Sequence, residues 1–285
     1  MAAKDKGFYS KKTLNLNGKI IDLNTPAIMG ILNLTPDSFY DGGRLAREDQ
    51  ILGQSENFLN AGVDILDIGG YSTRPGAKDI SPEEEWQRLV PALGIISKNL
   101  PEIPVSVDTF RADIARQSME YGASMINDVS GGTLDSKMYD TISELQVPYV
   151  LMHMKGTPRT MQSGTQYDDV IREVLTELEK KLSNLTNRGV NDVILDVGFG
   201  FAKTVDQNYE LLRRLDAFKI FDIPLLVGIS RKSMIWKLLD ITPEETLNGT
   251  TALHMVALIK GASILRVHDV KEAKQVVDLN NSLTK

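Results

Sequence analysis

Polar and charged residues recur at one kind of place in this 285-residue chain, at the ends of short runs of Val, Ile, Leu and Met. Asn33, Asp67, Asp108, Asn127 with Asp128, His153, Asp196, Ser230 with Arg231 and Lys232, and Arg266 with His268 each close such a run. Carboxylates accept hydrogen bonds from paired N–H donors, carboxamides both accept and donate, and Lys, Arg and His bind anions. Arg266 and His268 are two residues apart, so on an extended strand they project from one face, as two phosphate ligands would, while Asp269 takes the other face and a structural role. Lys232 in "SRKS" adds a cation, and "GGYSTRPGA", Gly69 to Ala77, adds glycines, hydroxyls and Arg74. Each residue also has a plainer use. Asp108 and Asp196 serve as well as helix caps or turn formers, Lys232 as surface charge heading a helix, and His153 as a satisfied core histidine, the reading we favour for it. Taken together, the pattern points to a polar pocket with carboxylates and amides on one side and cations on the other. That chemistry suits a polar ligand carrying phosphate and does not name it.

These residues can meet only if their runs share one end of one structure. The runs "AIMGILNL", "DILDIGG", "PVSVDT", "MINDVSG", "YVLMHM", "VILDVG", "PLLVGIS" and "SILRVHD" read as eight short strands, with helical periodicity between them. Ser81-Pro82-Glu83-Glu84 and Thr242-Pro243-Glu244-Glu245 read as capping boxes, and Pro91 is expected to kink the first helix so capped. The stretch from Tyr167 to Gly189, with alternating charge, reads as a solvated outer helix. Eight strand–helix units without a linker, repeat or composition break predict one α/β domain, a (β/α)8 TIM barrel over residues 13–285, behind a flexible tail over 1–12. Asn17-Gly18 predicts a small N-terminal β-hairpin. In such a barrel the polar strand ends share the C-terminal mouth, and loops after the seventh and eighth strands often bind anions. "MGILNLTPDSFYDGG" then changes character where wall gives way to a loop: Met29 to Leu32 are strand, Asn33 stands at the rim, and Thr35 to Gly43 form a lid with Pro36 in it.

Composition narrows the function. With 42% hydrophobic and 25% charged residues the chain is an ordinary globular protein. A net charge of −6 and a pI of about 5.2 disfavour general nucleic-acid or membrane-surface binding. The absence of cysteine excludes disulfides, thiolate metal sites and cysteine nucleophiles and suits a reducing compartment. With no apolar signal core at the N-terminus and no membrane-length apolar run, we expect a cytoplasmic protein. No Walker P-loop, Rossmann fingerprint or His/Glu zinc pattern is present.

"MGILNLTPDSFYDGG", "GGYSTRPGA", "VSVDTFR", "INDVSGG", "LMHMKGTP", "DVGFGFAKT", "GISRKS" and "RVHDV", in this order from Asn24 to Val270, closely resemble the dihydropteroate synthase family of folate biosynthesis. The resemblance implies a (β/α)8 barrel, usually a homodimer and a sulfonamide target. It implies an enzyme that joins 6-hydroxymethyl-7,8-dihydropterin pyrophosphate to para-aminobenzoate, giving 7,8-dihydropteroate and pyrophosphate by dissociative substitution at the pterin methylene. It also implies that Asp108, Asn127 and Asp196 take the pterin edge, with Lys232 at the ring's acceptor side and Met152 against its face. Asn33, Thr73, Arg74, Arg266 and His268 match the pyrophosphate site, with Asn33 a ligand of Mg²⁺. Phe39, Thr73, Pro75, Phe201 and Ser233 match the para-aminobenzoate pocket, accompanied by Ser72, and Asp37 and Asp41 match support for the metal or the loop. Tyr71, Val197, Phe199 and Ala202 depart from the family's usual pattern, so the loop after Asp196 is where backbone shape, and with it Phe201, is in question. A pterin-binding barrel without synthase activity is the competing reading; it needs the carboxylates but not Arg266, His268, Lys232 and the two loops. An aldolase-like barrel would need a Schiff-base lysine within a strand, and the eight runs contain none.

Overall fold

Asn17 and Gly18 both take positive φ, 53° and 88°, as a type I′ turn requires. They join β1 (Thr13–Leu16) to β2 (Lys19–Asp22) in the expected antiparallel hairpin. The computed structural model describes residues 12–34, 43–73, 78–157 and 164–284. The N-terminal tail through residue 11 lies outside the described residues, as do 35–42 of the first expected loop and 74–77 of the second.

Strands and helices then alternate: β3 (Ala27–Asn33), α1 (Gly43–Asn60), β4 (Ile65–Gly69), α2 (Pro82–Asn99), β5 (Val105–Asp108), α3 (Ala112–Glu120), β6 (Met125–Asp128) and α4 (Met138–Leu145). They continue as β7 (Tyr149–Met152), α5 (Val170–Asn187), β8 (Val193–Asp196), α6 (Val205–Arg213), β9 (Leu225–Val227), α7 (Ser233–Leu239), α8 (Leu247–Ile259), β10 (Ile264–Val267) and α9 (Val270–Thr284). The eight strands β3 to β10 close a parallel barrel in chain order, with β10 pairing back onto β3. Every expected barrel strand is present, but most stop short of their apolar runs. His153, Ser230 and His268 therefore stand just past strand ends.

Side-chain alternation explains where the polar residues go. Met29, Ile65, Met125, Val150, Ile194, Leu226 and Ile264 pack together inside the barrel, joined from below by Leu14, Leu16 and Leu23 of the hairpin region. Moving two residues along the same strands keeps the inward direction. Ile65 is thus followed by Asp67, Met125 by Asn127, Val150 by Met152, Ile194 by Asp196 and Ile264 by Arg266. The intervening positions, such as Ile28, Leu66, Ile126, Leu151 and Leu195, join the larger core between strands and helices. At about 25 cal/mol per Å² of apolar surface, these two shells are the main source of stability. The polar layer is confined to the end where water and ligand can reach it.

The helix termini follow local chemistry. Ser81 Oγ accepts from the Glu84 N–H at 3.2 Å, and α2 runs through Pro91 to Asn99. The Thr242 N–H donates to Glu245 Oε2 at 2.9 Å, heading a short 3₁₀ turn, Pro243–Thr246, that runs into α8. A complete capping box stands at α6, where Thr204 and Gln207 exchange bonds of 2.8 and 3.2 Å. Helix α5 is amphipathic: Val174, Leu178 and Leu185 are buried, while much of its opposite face is solvated.

Candidate active site

The inward polar layer converges on Arg266, carried by β10. Its Nε donates to Asp67 Oδ2 at 2.6 Å and its Nη2 to Asp108 Oδ2 at 2.7 Å. Asn127 Nδ2 donates to the same Asp67 oxygen at 3.1 Å, which leaves the carboxamide oxygen of Asn127 to face elsewhere. Three strands and the closing strand are thereby tied by charge-assisted bonds, roughly twice as strong as neutral ones. Burial works against the charge of Arg266, but Asp67, Asp108 and Asp196 outweigh it and hold the guanidinium protonated. Burial pushes Asp108 up to about 7, and Arg266 pulls it back. Asp108 therefore sits where small changes in its surroundings decide its protonation.

Across the mouth stands a second charged pair. Asp196 is raised by burial and lowered by Lys232, by the Gly198 N–H at 2.7 Å, and by Arg266 and Lys203. Lys232 is brought down to about 8 by burial, with Asp196 opposing. The ammonium of Lys232 donates to the Phe199 carbonyl and lies 4.4 Å from the centre of the Phe201 ring. Met152, buried, packs with Phe201, Phe110 and Val129 into a small apolar wall beside these charges. A flat polar heterocycle would find carboxylates and an amide at its edge, a cation at its far side and a thioether against its face.

Asn33 and His268 line a separate cavity of about 550 Å³ together with Gln50, Gln54, Asn57 and Arg231. Ser230 Oγ accepts from the His268 backbone N–H at 3.2 Å and lies 3.0 Å from its Nδ1. Arg231 pairs with Asp269, its Nε 3.1 Å from Oδ2, in keeping with the structural role expected of Asp269. Among the described residues no three His, Cys, Asp or Glu side chains gather to hold a metal. Magnesium, which keeps water and phosphate oxygens in its shell, needs fewer protein ligands, and the carboxamide oxygen of Asn33 is of the hard type it takes.

The structure brings Asp108, Asn127, Met152, Asp196, Phe201, Lys232 and Arg266 to one mouth, and Asn33 and His268 to a cavity beside it. Arg266 turns its guanidinium toward the carboxylates, while His268, past the end of β10, lines the neighbouring cavity instead of sharing a strand face with it. Ser72 and Thr73 are half-buried on the approach, and Ser233 opens α7 directly after Lys232. Phe39, Arg74, Pro75, Asp37 and Asp41 lie outside the described residues. Sequence reasoning gave no role to Asp67, although its inward parity with Ile65 was a signal, and none to the buried Lys203. His153 is a partnered core histidine, as favoured: burial brings it to about 4, with Lys203 Nζ 3.1 Å from Nδ1. The departures from the family pattern are accommodated. Val197 and Phe199 join the outer core, and Ala202 takes φ 51°.

Comparison with known proteins agrees with this geometry. The sequence profile of the family described as "Pterin binding enzyme" matches residues 29–268. The dihydropteroate synthase of Escherichia coli K12 is 43% identical over 262 residues, 91% of this chain and 92% of that protein. A structure of the Xanthomonas albilineans dihydropteroate synthase with 4-aminobenzoic acid superposes with a TM-score of 0.89 at 36% identity, over 96% of this chain and 98% of the other. The Yersinia pestis dihydropteroate synthase in a sulfonamide drug complex gives 0.89 at 38% identity, over 95% and 99%. With its barrel, its polar mouth and this similarity over nearly its whole length, the chain belongs to the dihydropteroate synthases of the pterin-binding enzyme family.

Proposed function

We propose the following division of labour for the family's reaction, the joining of 6-hydroxymethyl-7,8-dihydropterin pyrophosphate to para-aminobenzoate. The observation that carries it is the bridging of Asp67 and Asp108 by Arg266, opposite Asp196 and Lys232. Asp108 and Asp196 accept the pterin's N–H donors, the Asn127 carboxamide complements the same edge, Lys232 meets a ring acceptor, and Met152 covers one face. The substitution needs no protein nucleophile. As pyrophosphate leaves the methylene carbon, positive charge spreads into the ring, and the two carboxylates held at the mouth stabilise it there. Asn33, Thr73, Arg74, Arg266 and His268 hold the departing pyrophosphate, and the placing of Asn33 and His268 on one cavity supports this. Magnesium bound by Asn33 and phosphate oxygens would neutralise charge on the leaving group. The arylamine lies against Phe201 and Ser233, with Phe39, Thr73 and Pro75, close enough to attack the new cation.

We also infer a homodimer in the cytoplasm. Leu238 and Leu239 of α7, Leu247, Val256 and Ile259 of α8, and Leu279 and Leu283 of α9 are exposed, and α8 packs on α9. An apolar surface of that kind is what a second copy covers. The lack of cysteine suits a reducing compartment. Among the described residues no helix is long and apolar enough to cross a membrane.

The test is to mix purified protein with para-aminobenzoate and the dihydropterin pyrophosphate, with and without Mg²⁺, and assay dihydropteroate. Magnesium-dependent product is expected. Pterin binding without product in any condition would favour a binding module instead.

A further inference from the structure

Lys203 takes part in no step above, yet its ammonium is buried beside the mouth. Nζ donates to the carbonyls of Gly198 at 2.9 Å and Phe201 at 3.0 Å and lies 3.1 Å from His153 Nδ1. The side chain thus folds back across the β8–α6 loop and fastens both ends of the turn that presents Phe201. That turn carries a conformational cost at Ala202, whose φ of 51° is left-handed for a residue with a Cβ, while Gly198 and Gly200 adopt their 70° and 79° freely. A backbone of this kind keeps one shape only when its surroundings over-determine it. Lys232 holds the same turn from the opposite side through the Phe199 carbonyl and the Phe201 ring.

The support behind Lys203 continues outward. His153 is fully buried and neutral. Accepting from the ammonium at Nδ1, it carries its proton on Nε2, whose edge faces Glu177 Oε2 at 3.1 Å. The approach is an imidazole–carboxylate contact rather than a well-aligned hydrogen bond. Glu177 on α5 is in turn paired with Lys181 at 2.8 Å. A row of polar contacts, broken in hydrogen bonding at His153 Nε2, therefore runs from an outer helix to the turn at the mouth.

We propose that Lys203, with His153 and Glu177 behind it, is a positioning residue for the arylamine substrate, setting the turn from Gly198 to Phe201 and so the face that the aromatic ring of that substrate meets. This rests on the assignment of Phe201 to the para-aminobenzoate pocket. Burial lowers Lys203 to about 7, with Asp196 opposing, and its amino group is enclosed by two carbonyls and one imidazole nitrogen. Removing it takes the donor from the Phe201 carbonyl and His153 Nδ1, while the Gly198 carbonyl keeps only the Phe201 N–H at 3.1 Å, and the nearest ligand-facing consequence is a displaced Phe201 ring.

The test is steady-state kinetics on the full-length enzyme at saturating Mg²⁺, varying each substrate in turn. Lys203→Met keeps the stem and deletes the donors. It should raise KM for para-aminobenzoate about tenfold, the cost of one misplaced aromatic contact, while KM for the dihydropterin pyrophosphate moves less than about twofold. His153→Phe keeps the ring volume and should show the same one-sided rise, and adding it to Lys203→Met should add little, since the two act as one unit. Glu177→Gln, on the partly exposed helix, should fold whatever Lys203→Met does and raise the arylamine KM by about two- to fivefold. Phe201→Ala is the control on the underlying assignment. If Phe201→Ala raises the arylamine KM while Glu177→Gln and every folded variant at Lys203 leave it unchanged, the positioning role is overturned and the pocket assignment stands. Equal rises for both substrates, or a fall in kcat alone, overturn the role too. If Phe201→Ala changes nothing, the pocket assignment fails and takes this inference with it.

Discussion

Asp108 shows how the mouth is tuned residue by residue. Burial, Asp67, Asp128 and Glu85 all raise it, Arg266 opposes them, and it settles at about 7. A carboxylate accepts the pterin's N–H donors, whereas its protonated form meets a donor with a donor. Pterin affinity should therefore fall as pH drops through about 7, as titration calorimetry from pH 5.5 to 8.5 would read. Arg266→Ala should move that midpoint upward by about one to three units, the usual effect of a neighbouring opposite charge; a midpoint left in place would remove Arg266 from the pterin side of the site. The same substitution should weaken the pyrophosphate-bearing substrate more than free pterin, and equal losses would dissociate it from the leaving group. For stability the sign is opposite to that for binding. A carboxyl raised in the folded state stabilises it below the unfolded value near 3.8, and that contribution is lost as pH rises through about 7. Asp108, Asn127, Asp196 and Arg266 were legible as candidates because each closes an apolar strand run, and Lys232 because it follows the seventh run; their separate roles came from the family resemblance. The bond from Arg266 to Asp67 was not legible, because 199 residues separate the two and only the closed register brings them together.

At the scale of elements, the turn after β8 carries both the site and its cost. Gly198 cannot be replaced, because a Cβ there would lie 2.0 Å from the His153 carbonyl oxygen. Gly198→Ala should lose well over about 2 kcal/mol, beyond ordinary point substitutions, and a denaturant midpoint near that of the parent would contradict the close approach. Ala202 is the converse case, a residue with a Cβ at φ 51°. Left-handed backbone costs such a residue about 1–2 kcal/mol, and glycine returns about 0.5–1 of this in unfolded-state entropy. Ala202→Gly should thus stabilise by about 0.5–1 kcal/mol in urea unfolding. Strands and capping residues could be read from the sequence, but the path of this turn could not. Val197 and Ala202 stand where the family pattern has proline and glycine, and Phe199 where it has isoleucine; only packing reveals that the side chains of Val197 and Phe199 go outward into the core.

Over the whole molecule, the apolar rows on α7, α8 and α9 are the one large departure from a solvated barrel exterior among the described residues. Ile259 is 62% exposed at the end of α8. Ile259→Glu should convert a dimer to monomers in sedimentation velocity at micromolar concentration without changing pterin affinity, whereas an unchanged sedimentation coefficient would place the partner elsewhere. The barrel itself was legible from eight alternating units, because a closed sheet is the arrangement that gives every polar strand end the same neighbourhood. Its floor was less so. The hairpin was foreseen from Asn17-Gly18, but not that Leu14 and Leu16 would seal the interior against Met29, Ile65 and Ile264. That seal closes the described floor of the barrel, so the polar strand ends are approached from the C-terminal mouth alone among the described residues.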